Sequence, residues 1–219
     1  AENKWSTWQW ENTLTYTKEF ENDDKLQVIA GYSALESRST SITASRDSLA
    51  TNDATYAFLS NSLNVEPQIP RASDGISETA WIGQFVRATY DLGNEWSFMG
   101  TVRYDGSSRF GLNNRFGLFP SFSAAWNLTE RPWFDEKDWI DFFKVRGSWG
   151  RNGNAEIGDY AYNPVIVNGL NYTFGEDQSQ TIGSGPVAIA NPDLKWETGE
   201  QINFGVDADF LDGRWNVIF

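Results

Sequence analysis

The chain has 219 residues, a formal net charge of −13, no His and no Cys. These absences exclude a Ser-His-Asp triad, His-ligated zinc, disulfide frameworks, thiolate metal sites and Cys nucleophiles, and so acidic a chain repels the phosphate backbone of nucleic acid. Aromatic residues reach 16%, with 11 Trp, 8 Tyr and 15 Phe, a proportion that suits the aromatic belts of transmembrane barrels.

No apolar run approaches the roughly 20 residues of a membrane helix, and no signal peptide opens the chain. Mean hydropathy is negative. A β-barrel tolerates that, because only every second residue of its strands faces lipid.

Hydrophobicity alternates with period two from the first strand onward. Between Thr7 and Phe20 the even positions are Trp8, Trp10, Asn12, Leu14, Tyr16, Lys18 and Phe20, while every odd position is polar. Successive side chains of a strand point to opposite faces, so this is a strand with one apolar side. Leu26, Val28, Ala30 and Tyr32 form the next apolar row, and Val86, Ala88 and Tyr90 a third. Trp96, Phe98, Gly100, Val102 and Tyr104 then oppose Ser97, Thr101, Arg103 and Asp105. Phe122, Ala124, Trp126 and Leu128 follow, then Phe143, Val145 and Trp149 opposite Lys144, Arg146 and Ser148. Ile202, Phe204, Val206, Ala208 and Phe210 oppose Gln201, Asn203, Asp207 and Asp209, and a last strand begins at Trp215, Val217 and Phe219. The pattern predicts about eight strands.

The predicted connections alternate in length. Short ones fall near Glu21–Lys25, Leu92–Glu95 and Leu211–Arg214, where Asp212-Gly213 is a tight-turn pair. A somewhat longer one runs from Thr129 to Trp139, where Pro132, Asp135 and Glu136 suggest a brief helical turn. Long ones cover Ser37–Thr79, Gly106–Leu118 and Gly150–Lys195, rich in Ser, Asn, Asp and Gly. Antiparallel strands send every second connection to the same end. Short turns therefore collect at one rim and long loops at the other, the arrangement of outer-membrane barrels. A soluble β-sandwich also alternates, with an apolar face rich in Val, Ile and Leu. Here Trp, Phe and Tyr dominate that face, which favours barrel wall. No internal repeat of 20–50 residues and no linker divides the chain.

The faces assign candidate roles. Trp96, Phe98, Phe122, Trp126, Phe204, Val206 and Phe210 are expected to face lipid, and Trp8, Trp10, Trp149 and Trp196 are read the same way. Arg103, Lys144, Arg146, Gln201, Asn203, Asp207 and Asp209 are expected to face a lumen. Asp207 and Asp209 lie about 7 Å apart along one strand. That suits a glycosidase pair, but solvated lumen carboxylates explain them better, and no catalytic residue or metal ligand is assigned. Asp105-Gly106-Ser107-Ser108 lacks the spacing of a calcium loop and reads as a tight turn. Tyr160, Tyr162, Tyr172 and Phe174 sit in a long loop, suited to stacking on a sugar, to gripping a peptide, or to packing the loop itself. Arg109 and Arg115 flank a Gly-rich hairpin, as further substrate-contact candidates or as electrostatic pins for the loop.

Two segments carry a resemblance. Arg103-Tyr104-Asp105-Gly106-Ser107-Ser108-Arg109-Phe110-Gly111 continues through Asn113-Asn114-Arg115 to Phe119-Pro120-Ser121-Phe122-Ser123-Ala124-Ala125-Trp126. Asn191-Pro192-Asp193-Leu194-Lys195-Trp196-Glu197-Thr198 leads to Asn203-Phe204-Gly205-Val206-Asp207, and Lys144–Gly150 with Asn152-Gly153-Asn154 also fits. In this order they resemble the SusC/RagA family of TonB-dependent outer-membrane transporters. The match is distinctive over residues 103–219 and less so before.

The resemblance implies an all-β fold: an antiparallel transmembrane β-barrel segment of about eight strands within a barrel of about 22. Residues 1–219 then form one partial barrel domain, without the plug and N-terminal domains, and both ends are expected to be cuts through a longer protein. It implies TonB-dependent uptake of oligosaccharides or peptides, no enzymatic activity and no cofactor. The implied partners are a SusD-like surface lipoprotein, TonB and outer-membrane lipid, and no nucleic acid. Two alternatives stay open. One is a small self-contained barrel that anchors or adheres, since Trp215, Val217 and terminal Phe219 resemble a barrel's closing strand. The other is a secreted glycan-binding β-sandwich.

Overall fold

The computed structural model describes residues 1–45, 49, 51, 53–61, 63, 71–134, 139–176, 179–181 and 183–219. Eight long strands form one antiparallel sheet: β1 (Glu2–Glu19), β2 (Lys25–Ser45), β3 (Arg71–Leu92), β4 (Trp96–Ser107), β5 (Phe116–Asn127), β6 (Ile140–Asn154), β11 (Glu197–Phe210) and β12 (Trp215–Ile218). Each pairs with its neighbour in chain order, so the sheet is a meander. The connection from β6 to β11 carries four three-residue strands: β7 (Ile166–Asn168), β8 (Tyr172–Phe174), β9 (Ser179–Thr181) and β10 (Ser184–Pro186). β8 pairs with β9 inside the β7–β10 pair, making a small nested hairpin.

All eight predicted strands are present, and the short and long connections alternate as expected. The strands are longer than the alternation predicted. β2 continues to Ser45 and β3 begins at Arg71, inside the stretch Ser37–Thr79 read as loop. β4 likewise runs through Asp105-Gly106-Ser107, which is strand rather than tight turn, and β6 reaches Asn154. At ~3.3 Å per residue a strand of 21 or 22 residues spans roughly 70 Å, more than twice the ~30 Å of a bilayer's hydrocarbon. Both faces of the outer portion are polar, so the periodic signal vanishes there while backbone pairing continues. A 3-10 turn at Leu128–Glu130 follows β5; Asp135 and Glu136, on which a brief helical turn was expected together with Pro132, lie outside the described residues.

Register sorts the side chains. Trp96 lies opposite Trp126, Trp126 opposite Val145, and Val145 opposite Val206. Phe122 lies opposite Gly100 and Trp149, and Phe204 opposite Gly147. All seven residues of the expected lipid-facing set thus share one face, here the aromatic face. Arg103, Lys144, Arg146, Gln201, Asn203, Asp207 and Asp209 all occupy the other, the polar face. Phe204 is 84% exposed and Phe122 51% exposed. No second described sheet covers them, as a β-sandwich would require. β1 and β12 are the outer strands and do not pair with each other, so the sheet lacks the closure of a self-contained eight-stranded barrel.

The short-turn rim is knitted by side chains. Asp24, nearly buried, accepts from Tyr90 Oη at 2.6 Å, from Gly93 N–H at 2.9 Å and from Asn22 Nδ2 at 2.8 Å. One carboxylate thereby joins the first turn to the second. Glu95 plays a similar part between the second and third. It accepts from Trp126 Nε1 at 3.1 Å and pairs with Arg131 at 2.6 Å. The last turn follows the predicted chemistry: Leu211, Asp212 and Gly213 all take positive φ, and Arg214 N–H donates to Leu211 O.

Candidate functional site

The densest packing lies at the long-loop rim. Phe110 is fully buried and clusters with Phe119, Ala155 and Trp196, with Trp81, Ile157 and Leu194 packed around them. The Trp196 ring centroid lies 5.0 Å from Phe110, 5.2 Å from Phe119 and 6.0 Å from Trp81. Trp196 was expected on the apolar strand face. It precedes β11 and is buried instead in this cluster, with its indole N–H donating to Arg115 O at 3.3 Å. Phe119 lies opposite Arg103, and Trp81 two residues from Gly83 opposite Asp105, so the cluster sits on the polar face. An indole held among aromatic rings and one carbonyl is satisfied there.

The two segments that carried the family resemblance are halves of this one unit. Asn113 Nδ2 donates to Asp193 Oδ1 at 3.3 Å, and Asn114 Nδ2 to Asp193 O at 3.1 Å. A Cβ on Gly111 would meet Pro192 O at 2.8 Å, so this close backbone approach needs glycine. The β4–β5 hairpin is in turn fastened to β3: Ser108 N–H donates to Ala80 O, and Ala80 N–H donates to Ser108 Oγ, both at 2.9 Å.

Arg109 is held in the same unit. Its Nε donates to Asp159 Oδ1 at 2.9 Å, and its Nη1 reaches Ala155 O at 3.4 Å. Asp159 also accepts from Ser77 Oγ, and the neighbouring Tyr160 hydroxyl accepts from Glu78 N–H at 3.3 Å. The structure therefore brings Arg109 and Tyr160 together at the outer end of β3. Arg115 lies at the foot of the hairpin; its carbonyl accepts from Trp196, and its Nε is buried without a partner among the described residues. Tyr162 is half-buried in the turn after Tyr160, and Tyr172 is 67% exposed on the nested hairpin. The Phe174 side chain lies outside those described.

On the polar face Arg146 pairs with Asp207 at 3.2 Å, and Asp209 accepts from Asn216. The two carboxylates thus have separate partners. Arg103 pairs with Asp105 at 3.1 Å and stands over the Phe85 ring, 5.6 Å from its centroid. Phe85, Phe119 and Trp81 are polar-face residues that alternation overlooked. The available signal was phase: each adjoins an apolar residue of the other face, as Trp81 does Ile82 and Phe85 does Val86. The aromatic face is ringed at both ends. Near the short turns Trp96 stacks on Trp126 at 4.9 Å and Trp139 on Phe210 at 5.8 Å. Near the long loops Tyr104 stacks on Phe116 at 5.0 Å, and Trp8 Nε1 donates to Glu36 at 3.1 Å.

One amphipathic meander, two aromatic girdles and all long loops at one rim define a section of outer-membrane β-barrel wall. Comparison with known proteins agrees. Residues 2–218 match the family described as TonB dependent receptor-like, beta-barrel, and the chain belongs to that family. A TonB-dependent receptor of Formosa agariphila is 32% identical over 95% of this chain and 20% of its own length. The TonB-dependent receptor SusC of Bacteroides thetaiotaomicron is 39% identical over 61% of this chain and 13% of its own. The RagAB peptide importer in its closed-closed state superposes with a TM-score of 0.84 at 25% identity, covering 99% of this chain and 23% of the other. The siderophore receptor PirA of Acinetobacter baumannii shares the fold, with a TM-score of 0.51 at 14% identity. These relatives, named as TonB-dependent receptors and a peptide importer, agree with the SusC/RagA resemblance of the sequence. The chain spans about a fifth of the length of the first of these relatives.

Proposed function

We propose that this chain forms part of the wall and outer mouth of a TonB-coupled importer of oligosaccharides or peptides, working with a SusD-like surface lipoprotein. Its aromatic face meets lipid, its polar face lines the passage, and the 155–196 connection contributes to the mouth. The observation that carries this reading is the register. It places seven polar and charged side chains on one face and seven apolar ones on the other, across antiparallel ladders that shift register between Asp209 and Phe210. Pairing of every backbone group is what a spanning sheet requires. Tyr160, Tyr162, Tyr172 and Phe174 supply rings for stacking on substrate, whereas Arg109 acts as a pin through Asp159.

Single cysteines in the intact receptor test the assignment of faces. A water-soluble maleimide is expected to label Ser123→Cys, Asn203→Cys and Asp207→Cys and to spare Phe98→Cys, Phe122→Cys and Phe204→Cys. The reverse pattern overturns it. Uptake by cells carrying or lacking the intact receptor, with labelled oligosaccharides and peptides in competition, tests the substrate class. Equal uptake of both by the two strains overturns it.

A further inference from the structure

The outer ends of β1, β2 and β3 sort charge between their two faces. At positions 3–9 of β1, 33–45 of β2 and 73–79 of β3, every polar-face side chain is uncharged, and most are Ser or Thr. On the opposite face the same stretches carry Lys4, Glu36, Arg38, Asp74 and Glu78. In a chain of net charge −13, this leaves one neutral wall lined by hydroxyls. The carboxylate at its margin, Asp159, is already engaged by Arg109 and Ser77.

Trp5 stands on this wall. It lies opposite Ser39, with Ser77 next across on β3, and is 70% exposed. Trp81 and Phe119 on the same face pack around Trp196, and Phe85 lies under Arg103. Trp5 meets no other ring among the described residues, and its indole N–H and the hydroxyls of Ser39, Ser41 and Thr79 find no hydrogen-bond partner among them. Tyr160 bounds the far side of the floor, held at positive φ with its hydroxyl accepting from Glu78 N–H. From Trp5 to Ser77 is two strand spacings, roughly 10 Å.

The wall lies beyond the membrane. Asn12 shares a transverse row with the outer-girdle residue Tyr104, through Tyr32 and Gln84. Trp5 is seven residues further along β1, roughly 23 Å outward along the strand. An indole offers a broad apolar face. A pyranose ring presents C–H groups on one face and hydroxyls around its edge, so a ring stacked on Trp5 turns its hydroxyls to the Ser and Thr floor. A charged ligand would lose hydration here without gaining an ion partner.

We propose that this wall is a binding site for an uncharged oligosaccharide. One sugar ring stacks on Trp5 and exchanges hydrogen bonds with Ser39, Ser41 and Thr79, and the next residues of the glycan run toward Tyr160. The site rests on the importer reading above and selects the substrate class within it: neutral glycan rather than peptide.

The test presents the intact receptor in nanodiscs with neutral gluco-, manno-, galacto- and xylo-oligosaccharides, uronic-acid oligosaccharides and peptides of matching size. Affinity and hydroxyl-radical oxidation of Trp5 are read together. At least one neutral oligosaccharide is expected to bind and to shield Trp5 from oxidation. Trp5→Ala is expected to weaken that binding roughly tenfold, the loss of one ring contact, while Trp5→Phe retains most of it. Trp8→Ala, on the opposite face, is expected to leave it unchanged, and all three variants keep the heat-modifiable gel mobility of the barrel. Oligosaccharide binding that neither shields Trp5 nor responds to Trp5→Ala overturns the site and leaves the importer reading standing. Shielding of Trp5 by peptides or uronic-acid chains alone overturns the choice of a neutral glycan, and shielding by the surface lipoprotein alone shows a protein occupant and overturns the site. Binding of no member of the set overturns the site; if cells carrying the receptor also import none of them, the importer reading falls with it.

Discussion

Asp159 receives the guanidinium of Arg109 from 50 residues earlier in the chain, with Nε and Oδ1 2.9 Å apart. Each side chain is 26% exposed. The pair joins the β4–β5 hairpin to the 155–196 connection, while Ser77 and Glu78 of β3 hold the other side of the same turn. The β4–β5 hairpin and the turn at Asp159-Tyr160 are thus fastened to each other and to the outer end of β3.

Asp159→Asn keeps the shape but removes the charge. Loss of a partly exposed pair costs at most about 1 kcal/mol. Global unfolding of the intact receptor is therefore expected to change little, while proteolytic nicking within 155–196 becomes several-fold faster. A double-mutant cycle with Arg109→Lys, read by that nicking rate, is expected to show coupling. Strict additivity would show that the contact holds nothing in place.

Phe110→Ala empties the middle of the aromatic cluster. Phe110 is fully buried, and truncating such a ring costs about 3 kcal/mol or more. Gly111→Ala attacks the same unit from the backbone, since its Cβ would lie 2.8 Å from Pro192 O. Both are expected to raise hydrogen exchange in 107–116 and 191–196 together, with little change in β1 and β2. Exchange rising in only one segment would show that the two motifs are independent.

Asp24 predicts a pH dependence. The hydroxyl of Tyr90 is the largest influence on its carboxyl; with Asn22 and the Gly93 N–H it holds the pKa below the ordinary 3.8, although burial opposes this. Because the folded value is the lower one, the stabilisation is present above the ordinary carboxylate range and disappears as pH falls through the depressed value. Protection of the Gly93 amide in the intact receptor, its exchange rate relative to the intrinsic rate at the same pH, is expected to hold from neutral pH downward and to be lost only below about pH 4. Asp24→Asn is expected to remove that transition.

Phe204→Arg and Asn203→Arg separate the two faces by one residue. Phe204 is 84% exposed on the aromatic face, opposite Gly147. A cation there is expected to cost about 2–4 kcal/mol in a membrane barrel, whereas Asn203→Arg on the polar face is expected to cost far less. Urea unfolding of the intact receptor in lipid vesicles reads the difference. Equal costs would contradict the assignment of faces.

Alternation alone determined the number of long strands, their antiparallel order, the short and long connections and both faces. That information is local: a side chain's face follows from its parity, and a turn from its Gly, Asn and Asp residues. The extra length of β2 and β3 was invisible, because a strand paired in water on both faces has no apolar period to read. Trp196 shows what only tertiary structure decided. One residue before β11, it fits the apolar row by composition, yet the contact of Asp193 with Asn113 and Asn114 turns it onto the polar face beside Phe110 and Phe119. Contacts across some 80 residues of chain depend on where two loops meet above the sheet, and no short-range pattern of residues encodes that meeting point.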